Sequence, residues 1–137
     1  MFDKKHFEVY LDMDGVFADF EKGAAELFDG RHKEVEKKHF WGKINKNPDF
    51  FYNLEKLDGA DALMHFMISQ SPSYVKFAFL TGAPPLTEHR AGKIKWVREN
   101  YNGIPTIVLP RKEKRLYAHA SSLLIDDSED LIEQWVE

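Results

Sequence analysis

The stretch Phe7-Glu8-Val9-Tyr10-Leu11-Asp12-Met13-Asp14-Gly15-Val16 decides how the chain is read. Its first half, Phe7 to Leu11, has the length and composition of a buried strand. Asp12 and Asp14 follow at once, and Gly15 closes the run. If the strand belongs to an open α/β sheet, its carboxyl end is where such sheets hold ligands, and both aspartates face one crevice. Carboxylates beside a flexible backbone suit a phosphate. Asp12 would be an acceptor-only nucleophile and Asp14 a proton donor and acceptor in turn. The amides after Gly15 would approach an anion, because glycine lacks a Cβ. Alone, Asp-x-Asp-Gly is not specific, since it also makes a surface turn or half of a calcium loop.

Working outward, Val75-Lys76-Phe77-Ala78-Phe79-Leu80 reads as a second strand, and it ends in Thr81-Gly82-Ala83-Pro84. This brings a hydroxyl and a flexible backbone to another carboxyl end. Ser122-Leu123-Leu124-Ile125 reads as a strand followed directly by Asp126-Asp127-Ser128. Between them, Lys112-Glu113-Lys114-Arg115-Leu116-Tyr117-Ala118 is a basic helical turn able to deliver an ammonium to the same sheet edge. Each piece has a plainer reading. The Asp126-Asp127-Ser128 group caps a helix, Thr81-Gly82 is a strand-to-turn junction, and a basic turn is normally solvated.

In that order, Asp12-Met13-Asp14-Gly15-Val16, Thr81-Gly82, Lys114 and Asp126-Asp127 resemble the motifs of the haloacid dehalogenase superfamily of aspartyl-phosphate phosphatases. The resemblance spans nearly the whole chain. Within the superfamily, Leu11 to Phe20, Lys114-x-x-Tyr117-Ala118 and Leu124-Ile125-Asp126-Asp127-Ser128 look like the 5'(3')-deoxyribonucleotidase branch. It implies an α/β, Rossmann-like, doubly wound parallel sheet with a small helical cap inserted after the first strand. The core would be about 1–17 and 72–137, with the cap at about 18–71.

The implied chemistry gives each residue a task. Asp12 attacks phosphorus, Asp14 protonates the leaving oxygen, Lys114 neutralises phosphoryl charge, and the Thr81 hydroxyl orients the group. Gly15, Val16 and Gly82 would contact the phosphate through backbone. Two aspartates facing a phosphate dianion call for a divalent cation, and Mg²⁺ is the hard, oxygen-preferring choice. Its ligands would be the Asp12 carboxylate, the Asp14 backbone carbonyl, and Asp126 or Asp127, a pair left undivided. Lys114 is preferred to Lys112 because it fits the resembled spacing.

Substrate choice falls to the insert. The branch implies that Phe20 packs on a nucleobase, and Trp41 joins it as the second substrate contact. Phe40, Phe50, Phe51 and Tyr52 could complete the slot or simply form the core of the cap. The insert is shorter than the cap of the animal deoxyribonucleotidases, implying a more open pocket and a wider substrate range. The expected activity is hydrolysis of nucleoside monophosphates, deoxyribonucleotides foremost. A sugar phosphate, a 3'-phosphate terminus, a phosphotransfer reaction and a non-catalytic nucleotide-binding module are the alternatives.

Composition narrows the rest. The 137 residues make one domain, with 43% hydrophobic and 31% charged residues, as in a globular protein. No apolar stretch approaches a membrane span, and the first residues lack a signal-peptide core, so a cytoplasmic protein is expected. Cysteine is absent, which removes disulfides and thiolate metal sites. A formal charge of −4 argues against extended nucleic acid as a partner. The six histidines, His6, His32, His39, His65, His89 and His119, show no ligand spacing and read as structural or exposed. Glu88 to Asn100 reads as a helix with Ile94 and Val97 on one face, Thr106 to Leu109 as a strand, and Ser128 onward as a last helix with Leu131, Ile132 and Trp135 against the sheet. The chain stops soon after that helix, where the resembled fold often adds a strand, so a smaller sheet or a homo-oligomer is expected.

Overall fold

The computed structural model describes residues 6–126. Four strands, β1 (Phe7–Leu11), β2 (Val75–Gly82), β3 (Thr106–Leu109) and β4 (Ser122–Ile125), form one all-parallel sheet in the order β3-β2-β1-β4. The chain steps outward from β1 through β2 to β3, then returns to the far side of β1. This reversal creates a switch point between β1 and β4, where open parallel sheets leave a crevice beyond their carboxyl ends. Leu11 stands opposite both Phe79 and Ile125, and the Asp12 amide continues the ladder to the Ile125 carbonyl at 2.9 Å. Asp12 is thereby set beside Asp126.

The expected bounds of β1, β3 and β4 are those observed, while β2 runs two residues further than the apolar run suggested. Thr81 and Gly82 pair with Val108 and Leu109, so they are the last rungs of the strand rather than a turn. Side chains alternate across the sheet as period two requires. Val9, Leu11 and Phe79 enter the larger core on one face, and Tyr10, Leu80 and Leu124 form a smaller cluster on the other.

The segment between β1 and β2 carries helices α1 (Phe20–Leu27), α2 (Lys37–Asn45) and α3 (Ala60–Gln70), with a 3-10 turn at His32–Glu34. Asp19 starts α1 by accepting the Lys22 amide at 3.0 Å. Ile44, Phe50, Phe51, Leu54, Ala60 and Met64 of this segment share one core with Leu11, Phe79, Trp96 and Val97. Helix α4 (Thr87–Asn100) is its anchor: Trp96 Nε1 donates to the Leu54 carbonyl at 2.7 Å, and His89 Nε2 meets the Asn47 carbonyl at 2.8 Å. Gly92 lets the two surfaces touch, since a Cβ there would lie 3.3 Å from the Tyr52 amide nitrogen.

One expectation for α4 needs correction. Val97 is buried, but Ile94 is 41% exposed, and the buried stripe is His89, Gly92, Lys93, Trp96 and Val97. Trp96 is the bulkiest apolar group on the helix, and burying it rotates Ile94 outward and Lys93 inward at the helical spacing. No helix of the described residues is long and apolar enough to cross a membrane. Asp127 and the last expected helix, with Leu131, Ile132 and Trp135, lie outside the described residues.

Candidate active site

Two buried lysines organise the carboxyl edge of the sheet. Lys114 sits in a 3-10 helix, Arg111–Tyr117, that starts two residues after β3 and follows Pro110. Its Nζ donates to Asp12 Oδ1 at 2.9 Å and to Asp126 Oδ2 at 3.0 Å, and the residue is only 3% exposed. Lys112, two positions away, is exposed. The lysine that reaches the carboxylates is therefore Lys114, despite the basic character of its surroundings. The 3-10 geometry matters here, because it turns one side of a charged run inward while Lys112 and Arg115 stay in solvent.

Asp12 is pressed between opposing influences. Burial raises its carboxyl most, the Lys114 ammonium pulls it down and the Asp126 charge pushes it up, and together they leave it at about 7. A carboxylate in such a place has lost most of its water and keeps one firm partner among the described residues, bonded through Oδ1.

The second lysine was not anticipated. Lys93, inward on α4 and 4% exposed, reaches Asp14 Oδ2 at 2.9 Å, Thr81 Oγ1 at 3.0 Å and the Gly82 carbonyl at 2.9 Å. Its ammonium also stands 4.7 Å from the centre of the Phe51 ring. The signal lay in the spacing to Trp96 and Val97, three and four positions on, the buried pair of the helix.

A cleft of about 370 Å³ opens over this edge, lined by Asp12, Asp14, Gly15, Phe20, Trp41, Gly82, Lys114 and Asp126, together with Glu21 and Arg111. The volume is within the range of small-molecule sites. Of the expected residues, Asp12, Asp14, Gly15, Phe20, Trp41, Gly82, Lys114 and Asp126 come together here. Thr81 is fully buried behind the cleft, with its hydroxyl accepting from Lys93. Val16 packs against the core instead of lining the cleft. Arg111 and Glu21 are additions; Glu21 is held by His32 at 2.6 Å and Lys33 at 3.4 Å.

The loop after Asp14 departs from the expected anion cradle. Gly15 has φ 84°, a conformation that favours glycine, but its amide donates to the Ala18 carbonyl at 2.9 Å. The Val16 amide points to the Met13 carbonyl at 3.4 Å. These amides close the loop on itself, so any backbone contact to an anion falls to other groups.

The aromatic residues divide cleanly. Phe20 lies 5.6–6.2 Å, centre to centre, from the rings of Phe40, Trp41, Phe50 and Phe51. Phe50 and Phe51 are core, and Tyr52 turns away to donate its hydroxyl to Glu99 at 2.7 Å. Only Phe20 and Trp41 of this group line the cleft.

For a metal, Asp12 and Asp126 present oxygens to one ammonium within 3.0 Å, close enough for both to serve a single cation. Among the described residues no group of three His, Cys, Asp or Glu side chains converges as a metal site. A hard cation here would draw on these two carboxylates and on backbone carbonyl oxygen. Apart from His32, which meets Glu21 at the cleft, the histidines sit elsewhere: His6 and His119 bond Glu8 at 2.8 and 2.7 Å, His89 is in the core, and His39 and His65 are exposed.

No protein-family model matches the sequence.

Proposed function

We propose that the chain is a Mg²⁺-dependent phosphomonoesterase of the haloacid dehalogenase type, with the helical insert as its cap. Its substrates are nucleoside monophosphates, deoxyribonucleotides foremost, and Asp12 carries the phosphoryl group. The observation supporting this most is the Asp12–Lys114–Asp126 ion-paired set at the ends of β1 and β4, with Asp14 on the same cleft.

In the first step an Asp12 oxygen attacks phosphorus as the bond to the leaving oxygen breaks, and Asp14 gives that oxygen its proton. Water then attacks phosphorus and gives a proton to Asp14. The bond from Asp12 to phosphorus breaks, inorganic phosphate leaves, and both carboxyl groups are restored. Lys114 favours the ionised form of Asp12 against the effect of burial and offsets phosphoryl charge. Mg²⁺, when bound by Asp12, Asp126 and the Asp14 carbonyl, supplies the remaining positive charge. The cleft is lined by the carboxylates of Asp12, Asp14, Glu21 and Asp126 against the cations of Lys114 and Arg111, an excess of negative charge that such a cation would offset before any phosphate enters. Asp127, the other aspartate of the pair, is an alternative ligand on sequence grounds.

Phe20 and Trp41, which also line the cleft, favour a leaving group that carries a flat aromatic ring. The test is phosphate release from ribo- and deoxyribonucleoside 5'- and 3'-monophosphates and sugar phosphates, with and without Mg²⁺. Mg²⁺-dependent release fastest on deoxyribonucleotides is expected. Release confined to sugar phosphates overturns the substrate, and nucleotide binding without release from any member overturns the enzyme.

A further inference from the structure

Lys93 has the burial of a catalytic group and the connections of a bracket. An ammonium has three N–H donors, and those of Lys93 meet Asp14 Oδ2, Thr81 Oγ1 and the Gly82 carbonyl, all within 3.0 Å. None remains for a substrate oxygen, and Lys93 does not line the cleft, whereas Lys114 does. Asp14 depends on it. The other Asp14 oxygen, Oδ1, is buried and has no hydrogen-bond partner among the described residues, so Lys93 alone fixes the carboxylate. The same ammonium ties Asp14 to the end of β2, and the Phe51 ring of the insert covers it at 4.7 Å.

We propose that Lys93 is a positioning residue that holds Asp14 in place for proton transfer, linking the loop after β1 to β2, α4 and the insert. The proposal rests on the phosphatase reading, in which Asp14 protonates the leaving oxygen. An alkoxide is a poor leaving group and needs that proton. A nitrophenolate leaves without it. Loss of Lys93 therefore slows departure of the first kind of leaving group and spares that of the second, a selectivity within the first half of the reaction that general weakening of the fold does not produce.

The experiment compares Lys93→Met, which keeps the length and removes the charge, with Asp14→Asn and the double variant. Each is assayed on a deoxyribonucleoside 5'-monophosphate and on p-nitrophenyl phosphate in excess Mg²⁺. Lys93→Met is expected to lower kcat on the nucleotide on the order of 10²-fold, the scale of general acid catalysis. KM and the single-turnover release of nitrophenolate stay near wild type, while hydrolysis of the phosphorylated Asp12, in which Asp14 takes the proton of water, slows alike on both substrates. The double variant is expected to be no slower on the nucleotide than Asp14→Asn, because Lys93 acts through Asp14. The aryl substrate reports folding in the same sample. If Lys93→Met is unfolded by circular dichroism, Lys93→Arg, which keeps the charge but displaces the donors, is measured for the same selectivity. Equal losses in the single-turnover release of both leaving groups in a folded variant, a raised KM with unchanged kcat, or additive losses in the double variant would overturn the proposal while wild-type turnover leaves the phosphatase reading standing. No turnover by wild type on either substrate overturns both.

Discussion

Lys114 Nζ lies 2.9 Å from Asp12 Oδ1, although the two residues are 102 positions apart in the chain. The contact joins the end of β1 to the connection between β3 and β4, and it sets the electrostatics of the cleft. Removing one partner of a buried ion pair leaves an uncompensated charge. Lys114→Met is expected to lower stability on the order of 3 kcal/mol and to abolish measurable phosphate release. Lys112→Met, at an exposed position, leaves both unchanged. Denaturant melts and a phosphate assay on the two variants check this, and equal effects would remove Lys114 from the site.

Burial holds the Asp12 carboxyl at about 7 in the folded, metal-free protein, above the ordinary aspartate value it regains on unfolding. Between those values the unfolded chain gives up the proton first, so stability falls as pH rises through the window. The whole loss is present above about 7 and none of it below about 4. Asp12→Asn removes this slope. Its melting temperature relative to wild type is therefore expected to be higher near pH 8 than near pH 5, by a few degrees, without metal. Excess Mg²⁺ stabilises ionised Asp12 in wild type and shrinks the difference. A gap independent of pH would show that Asp12 titrates normally.

Glu8 behaves in the opposite sense, at the other end of β1. Tyr10 donates to it at 2.6 Å, His119 and His6 lie at 2.7 and 2.8 Å, and together they bring its carboxyl down to about 2. The stability it contributes is present above the ordinary glutamate range and is lost as pH falls through about 2. Glu8→Gln is expected to lower the melting temperature at neutral pH, with the deficit closing in strong acid. Thermal melts across acidic pH read it directly, and a deficit that persists in strong acid would contradict it.

Trp41 lines the cleft while Phe50 and Phe51 fill the core. Trp41→Ala is expected to raise KM for a deoxyribonucleotide on the order of 10-fold, the worth of one stacked base, and to leave KM for ribose phosphate unchanged. Phe20→Ala does the same and also lowers stability, because its ring meets four others. Steady-state kinetics on the two substrates separate stacking from packing. Equal changes in KM for both would assign Trp41 a purely structural part.

The parallel sheet was legible because its strands are short apolar runs punctuated by Asp, Gly and Pro, and Phe7–Leu11, Thr106–Leu109 and Ser122–Ile125 have the bounds the runs predict. The meeting of Asp12 and Lys114 with the Asp126-Asp127 pair was expected from the order of the resembled motifs, with that pair left undivided; composition alone would have placed Lys114 in solvent. Lys93 was hidden for a physical reason. A buried lysine leaves no apolar mark in the sequence, and Ile94 beside it offered a stronger but misleading hydrophobic cue. The amides of Gly15 and Val16 were also misjudged, since local pattern does not reveal that the loop satisfies them through Ala18 and Met13.

The account stands or falls on a phosphoryl group carried by Asp12. An acyl phosphate is reduced by borohydride, converting the aspartate to homoserine, which mass spectrometry locates in the peptide containing residues 7–16. The protein, mixed with a deoxyribonucleoside 5'-monophosphate and Mg²⁺ and quenched during turnover, is expected to yield homoserine at position 12 and nowhere else. The product should be absent without substrate and in Asp12→Asn. Steady phosphate release with no homoserine at that position, or with the label on another aspartate, would contradict the assignment of Asp12 as the nucleophile.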